Sequence, residues 1–172
     1  MHLLLSNDDG IHAPGLAVLN RAAQRVGDVT VAAPLSQQSA VGHAITIASP
    51  LRAEWVERGD DFAGYAVHGT PADAVKLAAD ALVKEPIDVV CSGVNLGPNA
   101  GVAILYSGTV SAATEGAVLG YKSIAFSLNT FTDPLWDTAE SIVDRLLPQL
   151  LATDLPEDTV INVNIPNRPA RI

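Results

Sequence analysis

At 172 residues with 48% hydrophobic side chains, the chain is long enough to bury one substantial core. Aromatics make up only 5%, so that core must be aliphatic and alanine-rich, which suits parallel strands covered by helices better than a small β-sandwich. The formal net charge of −9 disfavours polyanions, so nucleic-acid polymers are not expected partners, whereas one bound cation would still admit a small phosphorylated ligand.

Strand and helix signals alternate from the start. Leu3 to Ser6 reads as a buried strand that ends in Asn7-Asp8-Asp9-Gly10. Pro14 fits the first turn of a helix with Leu16, Leu19, Ala23 and Val26 turned inward; Gly27 ends it, and Val29 to Ala33 forms the second strand. This βαβ unit implies parallel strands with a right-handed crossover. Residues 34–70 break the rhythm with a polar loop (Ser36-Gln37-Gln38-Ser39), β-like pieces such as Ile45-Thr46-Ile47, and a charged stretch from Glu54 to Asp61. They are expected to form an extended insertion with a hairpin. Thr70-Pro71-Ala72-Asp73 then caps and opens a helix carrying Val75, Ala78, Ala79, Leu82 and Val83.

Pro86 introduces the strand Ile87 to Cys91, and a glycine-punctuated loop from Ser92 to Gly101 follows it. The lone Cys91 lies within the apolar run and reads as a passive core thiol. Ser107-Gly108-Thr109 starts a helix with Val110, Ala113, Ala117 and Val118 on one face. Ser123 to Leu128 is a strand, Pro134 to about Leu151 a helix that Pro148 should bend or end, and Val160 to Ile165 a last strand. The whole reads as one α/β domain over 1–172, a doubly wound, Rossmann-like, mostly parallel sheet with helices on both faces and a β-hairpin insertion. The N-terminus shows no secretory signal and no apolar run reaches the roughly 20 residues of a membrane span. A soluble, cytoplasmic chain without a membrane partner is expected.

Asp8 and Asp9 are the most informative pair. Like charges about 4 Å apart repel by roughly 4 kcal/mol at an effective dielectric near 20. A fold that gathers them offsets that cost with a cation or a proton. Taken alone, the pair reads equally well as a solvated turn. Four polar clusters, however, follow strand ends or open helices: Asn7-Asp8-Asp9, Ser36 to Ser39, Ser92 to Asn95 and Ser107 to Thr109. In a doubly wound sheet such loops converge on one rim. Carboxylate, amide and hydroxyl oxygens suit magnesium, manganese or calcium, whereas zinc is disfavoured by the solitary cysteine and the unspaced histidines. The start of the 107–109 helix adds free N–H groups and a positive dipole end for an anion. Nucleotide P-loop, Rossmann glycine and nucleophile-elbow patterns are all absent.

Taken in order, Ser6-Asn7-Asp8-Asp9-Gly10, Ala33-Pro34 with Gln38-Ser39, Gly69-Thr70-Pro71-Ala72-Asp73, Ser92-Gly93-Val94-Asn95 with Gly97 and Asn99, and Tyr106-Ser107-Gly108-Thr109-Val110 resemble the SurE family, from the N-terminus to about Ile165. The resemblance implies a metal-dependent phosphatase hydrolysing nucleoside 5′- and 3′-monophosphates, with the activity on short polyphosphate often found in that family. It implies one divalent ion per subunit (Mg²⁺ or Mn²⁺, with Ca²⁺ an alternative occupant) held by Asp8, Asp9, Ser39 and Asn95. Asn7 joins the two aspartates in the catalytic group, while Asn95, Asn99, Ser107, Gly108 and Thr109 line the phosphate side. His12 and His43 lie near these loops and are expected to be loop or packing residues rather than acid–base groups. Gly69 to Asp73 reads as a structural turn and cap. The family's usual C-terminal segment, which packs against or exchanges with a neighbour, is not expected in a chain ending at Ile172, and this bears on the expected homodimer or homotetramer.

The rival reading is a non-catalytic metal- or phospho-ligand-binding module of flavodoxin-like fold. A receiver of that type would need an Asp and a Lys closing later strands, where this chain has Ser92 and Ser127. A haloacid-dehalogenase-type phosphatase would need Asp-x-Asp, and here the aspartates are adjacent.

Overall fold

The computed structural model describes residues 1–59 and 62–169, so Asp60 and Asp61 of the expected charged stretch lie outside the described residues. Seven strands form one sheet in the order β3-β4-β2-β1-β5-β6-β7. They are β1 (His2–Ser6), β2 (Asp28–Pro34), β3 (Ala53–Arg58), β4 (Phe62–Val67), β5 (Val89–Leu96), β6 (Lys122–Asn129) and β7 (Val160–Pro166). Every neighbouring pair is parallel except the β3–β4 hairpin. This is the expected doubly wound α/β architecture.

The centre of the sheet is buried on both faces, which explains why β1 is an unbroken leucine run rather than an alternating one. Leu3 and Leu5 join the cluster beneath α1 (Pro14–Ala23) and α4 (Trp136–Ala152), while Leu4 joins the cluster on the other face beneath α2 (Pro71–Leu77). That second face also carries α3 (Gly108–Val118), which packs against α2. All three leucines are fully buried, each worth about 1.5–3 kcal/mol of transfer free energy. At Gly15, near the start of α1, an added Cβ would sit 1.9 Å from the carbonyl oxygen of Val94. Helix α1 can approach the end of β5 only because residue 15 has no side chain.

Several expectations need correction. Ile45-Thr46-Ile47 is not a strand. The amide and hydroxyl of Thr46 are taken by Asp73, and Ile47 is 89% exposed. The hairpin forms later, and the residues read as a charged stretch are its first strand. In β3, Trp55 and Glu57 are exposed while Val56 packs on the core, as an edge strand with a polar outer side should do. Trp55 meets Tyr65 of β4 edge to face at 4.9 Å. Because β4 pairs with β2, the 34–70 segment completes the sheet rather than standing apart from it.

Helix α2 ends at Leu77 and runs into one π-helical turn, Ala78–Leu82. Strand β5 continues through Ser92 to Leu96, so the first half of the expected glycine loop is strand. Val118 is exposed, unlike Val110, Ala113 and Ala117. Helix α4 runs through Pro148 to Ala152, because the proline removes a single N–H one turn before the end. Lys122 Nζ then donates to the carbonyls of Leu151 and Thr153, both at 2.6 Å, capping that terminus.

Candidate active site

Strand β1 lies at the point where connections depart to opposite sides, with β2 on one flank and β5 on the other. Ligands of doubly wound sheets bind at the carboxyl end of such a switch point. Asp8 and Asp9 leave β1 there. Asn7 shapes the turn: its Nδ2 donates to the carbonyl of Gly10 and its Oδ1 accepts the Gly10 N–H, at 3.0 and 3.2 Å. Gly10 has φ of +97°, a conformation that favours glycine. Beneath the turn, Ser6 and Ser92 pair in register, fully buried, with hydroxyls that have no hydrogen-bond partner among the described residues.

The two carboxylates face different neighbours. Oδ1 of Asp8 accepts a short bond from the hydroxyl of Thr109 in the first turn of α3. Gly108 makes that approach possible, since an added Cβ would lie 2.6 Å from the Asp8 Cβ. Asp9 accepts from Gln37 Nε2 and from the Leu96 N–H, both at 3.2 Å. Burial pushes the Asp8 carboxyl up to about 6, with the Asp9 charge adding to the rise and the Thr109 bond opposing it. Burial raises Asp9 as well, against the bonds from Leu96 and Gln37. Among the described residues, neither carboxylate has a Lys, Arg or His partner. Two desolvated carboxylates without a cation are the setting in which a divalent ion is held most favourably.

The remaining predicted residues arrive on three loops. Ser39 is exposed, one residue beyond Gln38, whose N–H donates to the Asp8 carbonyl at 2.7 Å. Asn95 sits near the end of β5, where its Nδ2 donates to the Gly97 carbonyl at 2.7 Å, leaving Oδ1 as the acceptor. No group of three His, Cys, Asp or Glu side chains gathers among the described residues, so the donors available to an ion beside the two carboxylates are hydroxyl and amide oxygens. That donor set fits a hard cation.

On the anion side, the Ser107 Oγ caps α3 by accepting the Val110 N–H at 3.1 Å, and the amides of the first turn remain for a ligand. The Asn99 side chain turns inward, with Nδ2 on Ser127 Oγ at 2.9 Å. His12 is exposed, and His43 bonds Glu115 at 2.7 Å.

Sequence reasoning missed the supports. Asn162 and Asn164 of β7 both donate to the Asn99 carbonyl, and Asn164 Oδ1 accepts the Asn99 N–H. Two asparagines alternating within an apolar strand were the visible signal. Also missed was a cleft of about 310 Å³ beside Asp9, walled by Pro14, Leu96, Pro134 and Trp136. No local pattern brings the loop before α4 to the end of β1.

Known proteins share this fold. The family model described as survival protein SurE matches residues 3–172. The 5′-nucleotidase SurE of Syntrophobacter fumaroxidans is 49% identical over 99% of this chain and 68% of its own length, and that of Petrotoga mobilis is 51% identical over 98% and 68%. The crystal structure of SurE protein from Aquifex aeolicus superposes with a TM-score of 0.87 at 40% identity, covering 98% of this chain and 67% of that one. The chain thus spans about two thirds of the length of these relatives. With the family model matched almost end to end and the acidic pair set at the switch point of the same fold, the chain belongs to the SurE family.

Proposed function

We propose that this protein is a metal-dependent phosphomonoesterase that hydrolyses nucleoside 5′- and 3′-monophosphates to nucleoside and phosphate, with short polyphosphate as a further substrate. The observation that carries this reading is the contact between Asp8 and the first turn of α3, which joins a carboxylate pair to an anion-binding helix terminus. The 5′-nucleotidase names of its close relatives support the same reaction class.

In this reading Asp8, Asp9, Ser39 and Asn95 hold one Mg²⁺ or Mn²⁺ per subunit. Such an ion, when bound, neutralises a phosphoryl oxygen and lowers the pKa of a coordinated water. The chain supplies the rest by positioning. The amides of Gly108 and Thr109, the Ser107 cap and the α3 dipole receive the equatorial oxygens, so charge developing in the transition state meets oriented donors. Asn95 and Asn99 complete that side, Asn99 through the loop it anchors. Asn7 keeps the two carboxylates aimed, through its bonds to Gly10. The cleft beside Asp9 gives the nucleoside an apolar wall. Its volume lies at the small end of ligand pockets, and Trp136 offers a face on which any base can stack.

Residues 1–172 act as one phosphatase domain in this reading. It places the protein in the cytoplasm, consistent with the absence of any helix among the described residues long and apolar enough to cross a membrane. A homodimer or homotetramer is supported by the exposed Val102, Leu105 and Tyr106, an apolar set on one 3₁₀ helix. The test is phosphate release from nucleoside 5′- and 3′-monophosphates, with and without Mg²⁺ or Mn²⁺. Metal-dependent release that disappears in Asp8→Asn and Asp9→Asn is expected. No release with either ion would overturn the reading.

A further inference from the structure

The loop over residues 35–47 begins at the sheet rim, passes Asp8 and turns back toward α2. At its near end the Gln38 N–H donates to the Asp8 carbonyl, and in the middle the Gly42 N–H donates to the carbonyl of Tyr106 at 3.1 Å. The far end is held by side chains from the Thr70–Asp73 turn. Thr70 Oγ1 donates to the Ala44 carbonyl at 2.6 Å, the Thr46 N–H donates to Asp73 Oδ1 at 2.8 Å, and Thr46 Oγ1 donates to Asp73 Oδ2 at 2.7 Å. Asp73 is 1% exposed.

A helix cap alone does not account for these bonds. Capping α2 takes one bond in each direction between Thr70 and Asp73, and both are present. The other bonds leave the helix and reach a loop that is largely exposed and without secondary structure of its own. A buried carboxylate satisfied by donors from one particular loop fixes that loop, because any displacement strands the charge in a desolvated place.

We propose that Asp73, acting through Thr46 and together with Thr70, is a positioning residue for the metal site: it clamps the far end of the loop whose near end presents Ser39 beside Asp8. This rests on the reading of Ser39 as a ligand. Removing a group that orients a metal ligand from behind typically costs roughly 10- to 100-fold in metal affinity.

The experiment measures Mn²⁺ binding to the purified chain by electron paramagnetic resonance of the free ion, alongside thermal melting of the metal-free protein. Thr46→Val, which removes one donor to Asp73 Oδ2 and leaves both cap bonds between Thr70 and Asp73 in place, is expected to weaken Mn²⁺ binding by roughly 10- to 100-fold, and Thr46→Ser to restore it. Asp73→Asn is expected to weaken it at least as much, and Thr46→Val carries the test if Asp73→Asn does not fold. Ser39→Ala should also weaken binding, and adding Thr46→Val to it should cost little more, since both act through one ligand. Wild-type Mn²⁺ affinity in Thr46→Val beside a weakened Ser39→Ala would overturn the positioning role alone. Wild-type affinity in Ser39→Ala would overturn the ligand reading and the inference with it.

Discussion

The hydroxyl of Thr109 donates to Oδ1 of Asp8, tying the first turn of α3 to the end of β1 across 101 residues of sequence. This bond lowers the Asp8 pKa against the burial that raises it. Thr109→Val removes the opposing contribution, so Asp8 should hold its proton to higher pH. The acid limb of the pH–rate profile should move upward, and kcat/KM at subsaturating metal should fall by roughly 10- to 100-fold. An unmoved acid limb would show that Asp8 is not the group titrating there.

Asp8 should take stability from the metal-free protein as pH rises across the weakly acid range. The native Asp8 carboxyl keeps its proton to about 6, whereas the unfolded one releases it near 3.8. Between those values the native state binds more protons, so the unfolding free energy falls with rising pH and stays lowered above about 6. The span corresponds to roughly 3 kcal/mol at most. Chelated Asp8→Asn should therefore melt higher than chelated wild type at pH 7, and saturating Mn²⁺ should reverse the order. Equal melting of the two chelated proteins at pH 7 would contradict the burial argument.

Trp136→Ala tests the apolar wall. It should raise KM for nucleoside monophosphates by roughly 5- to 150-fold, the equivalent of the 1–3 kcal/mol measured for base stacking on an aromatic ring. Hydrolysis of glycerol phosphate, which has no base, should change little. A parallel loss on both substrates would assign Trp136 to packing against α1, where it already lies close to Gly15.

Asn164→Ala removes a donor and an acceptor from the backbone of Asn99. Leaving those groups short of a partner should cost about 1–3 kcal/mol of stability, read from denaturant unfolding. Turnover should fall as well, because the loop from β5 to α3 loses its anchor. Full activity in a destabilised variant would separate the anchor from the site.

Much of this was legible in the residues. The leucine run of β1 announced a strand covered on both faces, and Pro14, Thr70-Pro71 and Ser107 marked three helix starts. What misled was local chemistry answered by distant partners. Ile45-Thr46-Ile47 has strand composition, yet Asp73 takes the Thr46 groups a ladder would need. The charged stretch from Glu54 hid a strand because an edge strand keeps its polar residues outward. The glycines of residues 92–97 suggested a loop where β6 instead draws the chain on as strand, through Leu96. At the site, the ligand types were visible, but their supports were not. Gln37, Ser127, Asn162 and Asn164 act through pairings that only the folded sheet brings within reach.

Cys91 has a practical consequence. It is the chain's one cysteine, it is fully buried, and burial pushes its thiol up to about 12. At neutral pH it offers almost no thiolate and no access to a labelling reagent. Any cysteine introduced at the surface, such as at the exposed Ile47 beside the Asp73 clamp, would be the only reactive thiol in the protein. A single fluorophore or spin label there would follow the loop without first removing a native cysteine.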